Sequence, residues 1–204
     1  MAPKSIAEIV RIYAKSRPDK PAFIHGDEVV TYAQLDERSN RVANGLLAEG
    51  IGHQDHIGFL DKNCLEFFDF LFGAAKVNAI HAGINWRLSP HEMLQVINDA
   101  ESKLLVVGQE FVPVLEEIES ELKGVNKILV VGGHDRHEDF ESWRNSQPAT
   151  DPGGEPAAED TVFLLYTSGT TGSPKGAMIS NRAFFDLKRI CTPLWGIAED
   201  SVLL

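Results

Sequence analysis

From His56 to Val131 the chain alternates short apolar runs with helix-length amphipathic segments, and this rhythm constrains the fold more than any other feature. Strand-like runs fall at His56–Leu60, Ala79–Ile84, Lys103–Val107 and Lys127–Val131, with helix patterns near Leu65–Val77, Pro90–Asp99 and Glu110–Leu122 between them. Strands separated by helices pair in parallel through crossover connections, and near-continuous apolar strands suit a sheet covered on both faces. The expected class is therefore α/β, with a mostly parallel sheet flanked by helices. Ser89-Pro90-His91-Glu92 marks one helix start with a capping box and a proline in the first turn. Upstream, Ser5–Ser16 has a helical pattern, and Ala22–His25 and Glu28–Thr31 form a hairpin around Gly26-Asp27. Thr31 and Gln34 make a second capping box, opening a helix that carries Leu35, Val42, Leu46 and Leu47 and stops at Gly50.

The rhythm breaks between Gly132 and Asp160, where charge, proline and glycine dominate. Residues 132–160 are expected to be a surface excursion, with a short helix around Asp139–Asn145, before a strand at Thr161–Thr167. His134-Asp135-Arg136-His137 invites a zinc reading, but an arginine sits inside it and no further ligand cluster follows. A solvated loop is the better account.

Composition removes several functions. With 204 residues, 43% hydrophobic, the chain can build one good-sized core or two small ones. A net charge of −11, from 30 acidic and 19 basic residues, works against nucleic acid or an anionic membrane as a general partner. Cys64 and Cys191 form no C-x-x-C pair, which fits free thiols in a reducing cytoplasm. Met1-Ala2-Pro3-Lys4 leads into a charged amphipathic pattern rather than a secretory signal. The most apolar helix candidate contains Glu66, Asp69 and Lys76 and is too short to span a bilayer, so a soluble, cytoplasmic protein without a transmembrane segment is expected. Phe67, Phe68, Phe70 and Phe72 on that helix are expected to pack in the interior.

One stretch carries chemistry. Tyr166-Thr167-Ser168-Gly169-Thr170-Thr171-Gly172-Ser173-Pro174-Lys175-Gly176 gathers glycines, hydroxyls and a single lysine directly after the apolar run Val162-Phe163-Leu164-Leu165. Glycines let backbone N–H groups approach phosphate oxygens, hydroxyls add donors, and a lysine supplies a mobile positive charge. The same composition also fits an exposed turn. It is not a Walker loop: counted from Gly169, the second glycine would fall at Pro174, and Lys175 is followed by Gly176. It is not a dinucleotide fingerprint, since no glycine stands at Thr167, and a nucleophile elbow would need glycine at Tyr166. Ala177-Met178-Ile179-Ser180 continues as a short strand, so the loop joins two strands and no helix dipole aims at a bound phosphate. Asn181 is expected to cap the helix that follows, which carries Phe184, Phe185 and Leu187. Phe184, Phe185 and Trp195 are expected to pack in the core rather than wall a pocket.

The uninterrupted run from Tyr166 to Gly176 resembles the signature loop of the adenylate-forming superfamily: acyl-CoA synthetases, peptide-synthetase adenylation domains and beetle-type luciferases. Thr31-Tyr32-Ala33-Gln34-Leu35 is similar to a T-Y-x-x-L stretch of that superfamily. Phe72-Gly73-Ala74-Ala75-Lys76 through Ile84-Asn85-Trp86-Arg87-Leu88 is similar to the G-A-x-K … I-N-x-R-L segment of acyl-CoA synthetases. Family members often carry Ser-His after the loop, where this chain has Ser180-Asn181. The resemblance implies that residues 1–204 are the N-terminal part of the large AMP-binding domain of an acyl-CoA synthetase. It implies a two-step ligation: a carboxylate and ATP give an acyl-adenylate and pyrophosphate, and coenzyme A then displaces AMP. Thr167, Ser168, Gly169, Thr170, Thr171 and Gly172 would hold the β- and γ-phosphates. Lys175 would be the catalytic cation on the departing pyrophosphate, with Mg2+ between phosphate oxygens. The partners implied are a small carboxylic acid, ATP and coenzyme A, and a homodimer is one assembly to test for.

The family's adenine motif, magnesium-binding glutamate, ribose-binding aspartate and C-terminal-domain lysine have no counterpart in this sequence. Ser201-Val202-Leu203-Leu204 is strand-like and apolar, unlike a usual domain end. The expectation is thus an N-terminal fragment that is inactive alone. Two alternatives stand beside it: an adenylate-forming enzyme with another acceptor, and a non-catalytic nucleotide-binding module.

Overall fold

The computed structural model describes residues 3–167, 174–198 and 201–202. Helix α1 (Ile6–Ser16) begins where the Ser5 side chain accepts a hydrogen bond from the Glu8 amide. The hairpin of β1 (Pro21–His25) and β2 (Glu28–Thr31) is antiparallel, turning at Gly26 with φ +60°. Helix α2 (Tyr32–Ala48) carries the Thr31/Gln34 capping box, and α4 (Pro90–Asp99) the Ser89/Glu92 box. Both boxes satisfy amides that a helix start otherwise leaves unpaired.

The central sheet has the order β7-β6-β5-β3-β4-β8-β9. Its strands are β3 (His56–Leu60), β4 (Ile80–Gly83), β5 (Leu104–Gly108), β6 (Lys127–Val131), β7 (Glu138–Asp139), β8 (Thr161–Thr167) and β9 (Lys175–Ser180). All neighbours pair in parallel except β8 and β9. The alternation along β5 explains why the sheet needs cover on both faces. Leu104 and Val106 pack with Val42 and Leu46 of α2 and with Phe70 of α3 (Leu65–Lys76). Leu105 and Val107 pack with Met93 and Ile97 of α4 and Leu115 of α5 (Val112–Ile118). The single helix expected over Glu110–Leu122 is instead α5 between two 3-10 turns, Gln109–Phe111 and Glu119–Glu121. Pro113, in the first turn of α5, cannot donate a backbone hydrogen bond and so marks a helix start rather than an interior.

The segment expected as a plain surface excursion is anchored in the core at its centre. Helix α6 (Phe140–Asn145) buries Phe140 and Trp143, and Gly45 on α2 leaves the space that the indole fills. Arg144 reaches the buried Asp69 of α3 at 2.5 Å. A buried carboxylate left without a cation would be costly, so α6 also neutralises α3. The second half of the excursion runs over the surface. There Arg11 grips both carboxylate oxygens of Asp151 at 2.7 Å and the Gly154 carbonyl at 2.6 Å. Lys76 is fully buried, yet its ammonium donates to the Asp36 carboxylate and carbonyl and to the Asn40 side chain. Its place in the G-A-x-K stretch is thereby structural.

His81 on β4 stands among the rings of Phe59, Phe67, Phe70 and Phe163, and its Nε2 has no hydrogen-bond partner among the described residues. Burial draws its pKa down from 6.5 to about 4. The unfolded chain therefore takes up this proton first as pH falls. His81 costs no stability above about pH 6.5, and stability drains away as pH drops toward 4, at up to ~1.4 kcal/mol per unit. In urea unfolding at pH 7 and pH 4.5, the wild type is expected to lose on the order of 2 kcal/mol more than His81→Leu. Equal losses in the two proteins would remove His81 from the account.

Candidate functional site

Strand order decides where a ligand can sit. After β3 the chain moves by α3 to β4 on one side, whereas after β5 it moves by α5 to β6 on the other. In open parallel sheets the connections at the carboxyl ends of the strands form the ligand crevice. Strand β8 is parallel to β4, so its last residue, Thr167, lies at that same carboxyl edge.

Two further connections flank this edge. At the β3–β5 switch the Asp61 carboxylate lies against Gly108, where a Cβ would have no room. Burial pushes the Asp61 carboxyl above its ordinary value. After β4, Trp86 packs on Phe111, with the Arg87 guanidinium 4.0 Å and the Lys62 ammonium 5.3 Å from its ring centre. The motif Asn85-Trp86-Arg87-Leu88 thus forms a cationic–aromatic stack at the sheet edge. The Asp61–Gly108 contact has no sequence signal, because it joins the residue after β3 to the end of β5. Cys64, beside Asp61, has its thiol pushed up to about 12, chiefly by burial, so it is no nucleophile near neutral pH.

The glycine-rich stretch lies between β8 and the antiparallel β9. Of the residues assigned to phosphate, Thr167 and Lys175 are described. They face each other as the last register pair of the hairpin, and both are exposed. Opposed residues on an antiparallel ladder project from the same face, so the hydroxyl and the ammonium flank the loop's base together. Ser168, Gly169, Thr170, Thr171 and Gly172 lie outside the described residues. Among the described residues Lys175 makes no ion pair, and no group of three or more His, Cys, Asp or Glu could hold a metal ion.

The hairpin is fixed from several sides. Tyr166 opposes Gly176, and a Cβ at Gly176 would stand 2.9 Å from Leu164 Cδ1 and 3.1 Å from Tyr166 Cζ. The glycine therefore lets the aromatic ring lie across its partner strand. Tyr166 donates its hydroxyl to Asp99 Oδ2 at 2.7 Å, and burial and the nearby carboxylate raise the phenol's pKa. Helix α7 (Asn181–Leu194) follows β9, with a correction to its start. Ser180, not Asn181, is the cap, its hydroxyl accepting from the Ala183 amide. Asn181 is fully buried, accepts from the Ile6 amide and donates to the Ala157 carbonyl. Asn181 is thereby a structural staple between α1 and the excursion. Phe184 and Phe185 pack with Phe163, whereas Trp195 is 69% exposed and so lies outside the core.

A sequence model described as AMP-binding enzyme matches residues 10–204. The fatty acid–[acyl-carrier-protein] ligase ScoC of Streptomyces coeruleorubidus is 33% identical over 186 residues, covering 91% of this chain and 34% of that protein. The 3-hydroxybenzoate–CoA ligase of Aromatoleum sp. (strain CIB) is 32% identical over 188 residues, covering 90% of this chain and 35% of its own length. Among solved structures, the anthranilate CoA ligase AuaEII in complex with anthranoyl-AMP superposes with a TM-score of 0.86 at 30% identity, covering 95% of this chain and 37% of that one. The chain spans about a third of the length of these relatives.

The Tyr166–Gly176 pairing yields a test in which β-propensity and packing point in opposite directions. Valine is the better strand former, yet here its side chain meets Leu164 and the Tyr166 ring. Gly176→Val is expected to lower stability by about 1–2 kcal/mol in chemical denaturation, the usual cost of overpacking. A stabilised variant would show that the ring does not need the glycine.

Proposed function

The chain belongs to the AMP-binding enzyme family, and we propose that it is the N-terminal part of the large domain of an ATP-dependent acid–thiol ligase. In the first half-reaction a carboxylate oxygen attacks the α-phosphorus of ATP; the bond to the bridging oxygen breaks, and pyrophosphate leaves from the acyl-adenylate. In the second, a thiol sulfur attacks the acyl carbonyl, gives up its proton, and expels AMP. Activation takes place on the substrate, so no protein nucleophile is required, and the protein contributes position and charge.

One observation carries this reading: the β8–β9 loop opens at the carboxyl edge of a parallel sheet with Thr167 and Lys175 in register at its base. Thr167, with the glycine and hydroxyl residues from Ser168 to Gly172, would hold the β- and γ-phosphates. Lys175 would neutralise charge growing on the departing pyrophosphate. That single cation matters because the loop enters a strand, where no helix dipole assists, and because the chain's net charge is −11. Magnesium would travel with the triphosphate; the described residues offer it no ligand cluster, and no step here depends on it.

The names of the relatives bear on substrates. Two act on aromatic acids and one on fatty acids, so the proposed substrate is a carboxylic acid, aromatic or aliphatic. Coenzyme A is the favoured acceptor. ScoC supports a carrier-protein thiol as the second reading. Among the described residues no helix is long and apolar enough to cross a membrane, and the free Cys64 and Cys191 fit a cytoplasmic setting.

In the full-length protein carrying these residues, Lys175→Ala is expected to slow ATP–pyrophosphate exchange by roughly 10²–10³-fold, the usual loss for one charge-stabilising donor. Exchange near the wild-type rate would remove Lys175 from the mechanism. The 204-residue chain alone is expected to form no acyl thioester from acid, ATP and coenzyme A.

A further inference from the structure

The ladder that holds β8 is incomplete where it matters most. Its pairing with β4 stops at Gly83↔Leu165, while its pairing with β9 continues through Tyr166 to Thr167. The last two residues before the glycine loop are thus tethered on one side only, by a strand that is itself the edge of the sheet. Over the sheet face, beside the Tyr166 ring, stands the end of α4. Its last residue, Asp99, accepts the Tyr166 hydroxyl at 2.7 Å.

Asp99 is badly placed for the helix that bears it. A carboxylate at a helix C-terminus faces the negative end of the dipole, so the helix gains nothing from it. The end of α4 is secured by other means. Asn98 accepts from the Lys123 amide and donates to the Glu121 carbonyl, and Glu101 turns the chain with φ +49°. What Asp99 does is reach across to the loop-bearing strand. The Tyr166 ring meanwhile rests on Gly176 and on the cluster of Ile80, Ala82, Ala100 and Leu164. Ring and hydroxyl together fix Tyr166, one residue before the end of β8.

We propose that Asp99 is a positioning residue for the phosphate loop, acting through the Tyr166 hydroxyl to replace the tether that β8 loses where its pairing with β4 ends. The proposal rests on the functional reading above, since it assumes that the loop holds the triphosphate during adenylation. A loop displaced by a fraction of an ångström still binds ATP but presents its donors poorly to the charge that develops on pyrophosphate. The loss should therefore fall on kcat, with the KM for ATP changing little.

The test is ATP–pyrophosphate exchange in the full-length protein, with any acid that the wild type uses, alongside thermal melting. Tyr166→Phe keeps the ring and removes the hydroxyl; Asp99→Ala removes the acceptor; Asp99→Asn keeps an acceptor oxygen. The expected result is a kcat about tenfold lower in Tyr166→Phe and Asp99→Ala, with KM for ATP within about threefold of wild type. Asp99→Asn should recover most of the rate, and the double variant Tyr166→Phe/Asp99→Ala should lose no more than either single one. The proposal is overturned if both single variants keep kcat within about twofold while only the melting temperature moves, or if their losses multiply in the double variant. It is also overturned if Asp99→Asn falls as far as Asp99→Ala. A wild-type protein that exchanges pyrophosphate with no acid overturns instead the functional reading, and the proposal with it.

Discussion

Strand β8 ends at the carboxyl edge of the sheet because it pairs in parallel with β4. The three pairs His81↔Phe163, Ala82↔Leu164 and Gly83↔Leu165 close a connection that has travelled from the far edge of the sheet. That return is secured at its end by residues bound to the strand entry. Gln54 both donates to the Thr161 carbonyl and accepts from its amide, and Asn78 donates to Asp160. Both anchors have φ +59°, an uncommon backbone state for residues other than glycine. The excursion is held midway by the Arg144–Asp69 pair and the buried indole of Trp143, and later by Arg11. Losing these contacts would leave the loop's own residues intact but misplaced.

Local signals in the sequence were read well where a single segment contains the whole cause. Both capping boxes need only four neighbouring residues, and strands such as His56–Leu60 and Lys127–Val131 follow from uninterrupted apolar runs. The strands on either side of the glycine-rich stretch were legible for the same reason. What escaped was decided at a distance. Helix α6 looks solvated because its neighbours are charged, and only the space at Gly45 and the buried Asp69 show that it belongs inside. Asn181 resembles a cap by type, yet Ser180 supplies one and frees Asn181 to bind Ile6 and Ala157. The Asp99–Tyr166 bond joins two segments with no shared pattern.

The site shows the same division. Its residue types resemble a phosphate loop, but the sequence says nothing of which edge of the sheet β8 and β9 meet or what steadies Tyr166 and Thr167. The structure supplies the edge, the Thr167–Lys175 register and the aromatic packing behind them. The chain spans about a third of the length of the relatives it matches.

The most direct test of this account is a crystal structure of the full-length protein with a non-hydrolysable ATP analogue. The account predicts β- and γ-phosphate oxygens within hydrogen-bond distance of the Thr167 hydroxyl and of the Lys175 ammonium, at the carboxyl edge beyond β8. A triphosphate bound elsewhere, with Thr167 and Lys175 turned to solvent, would contradict it.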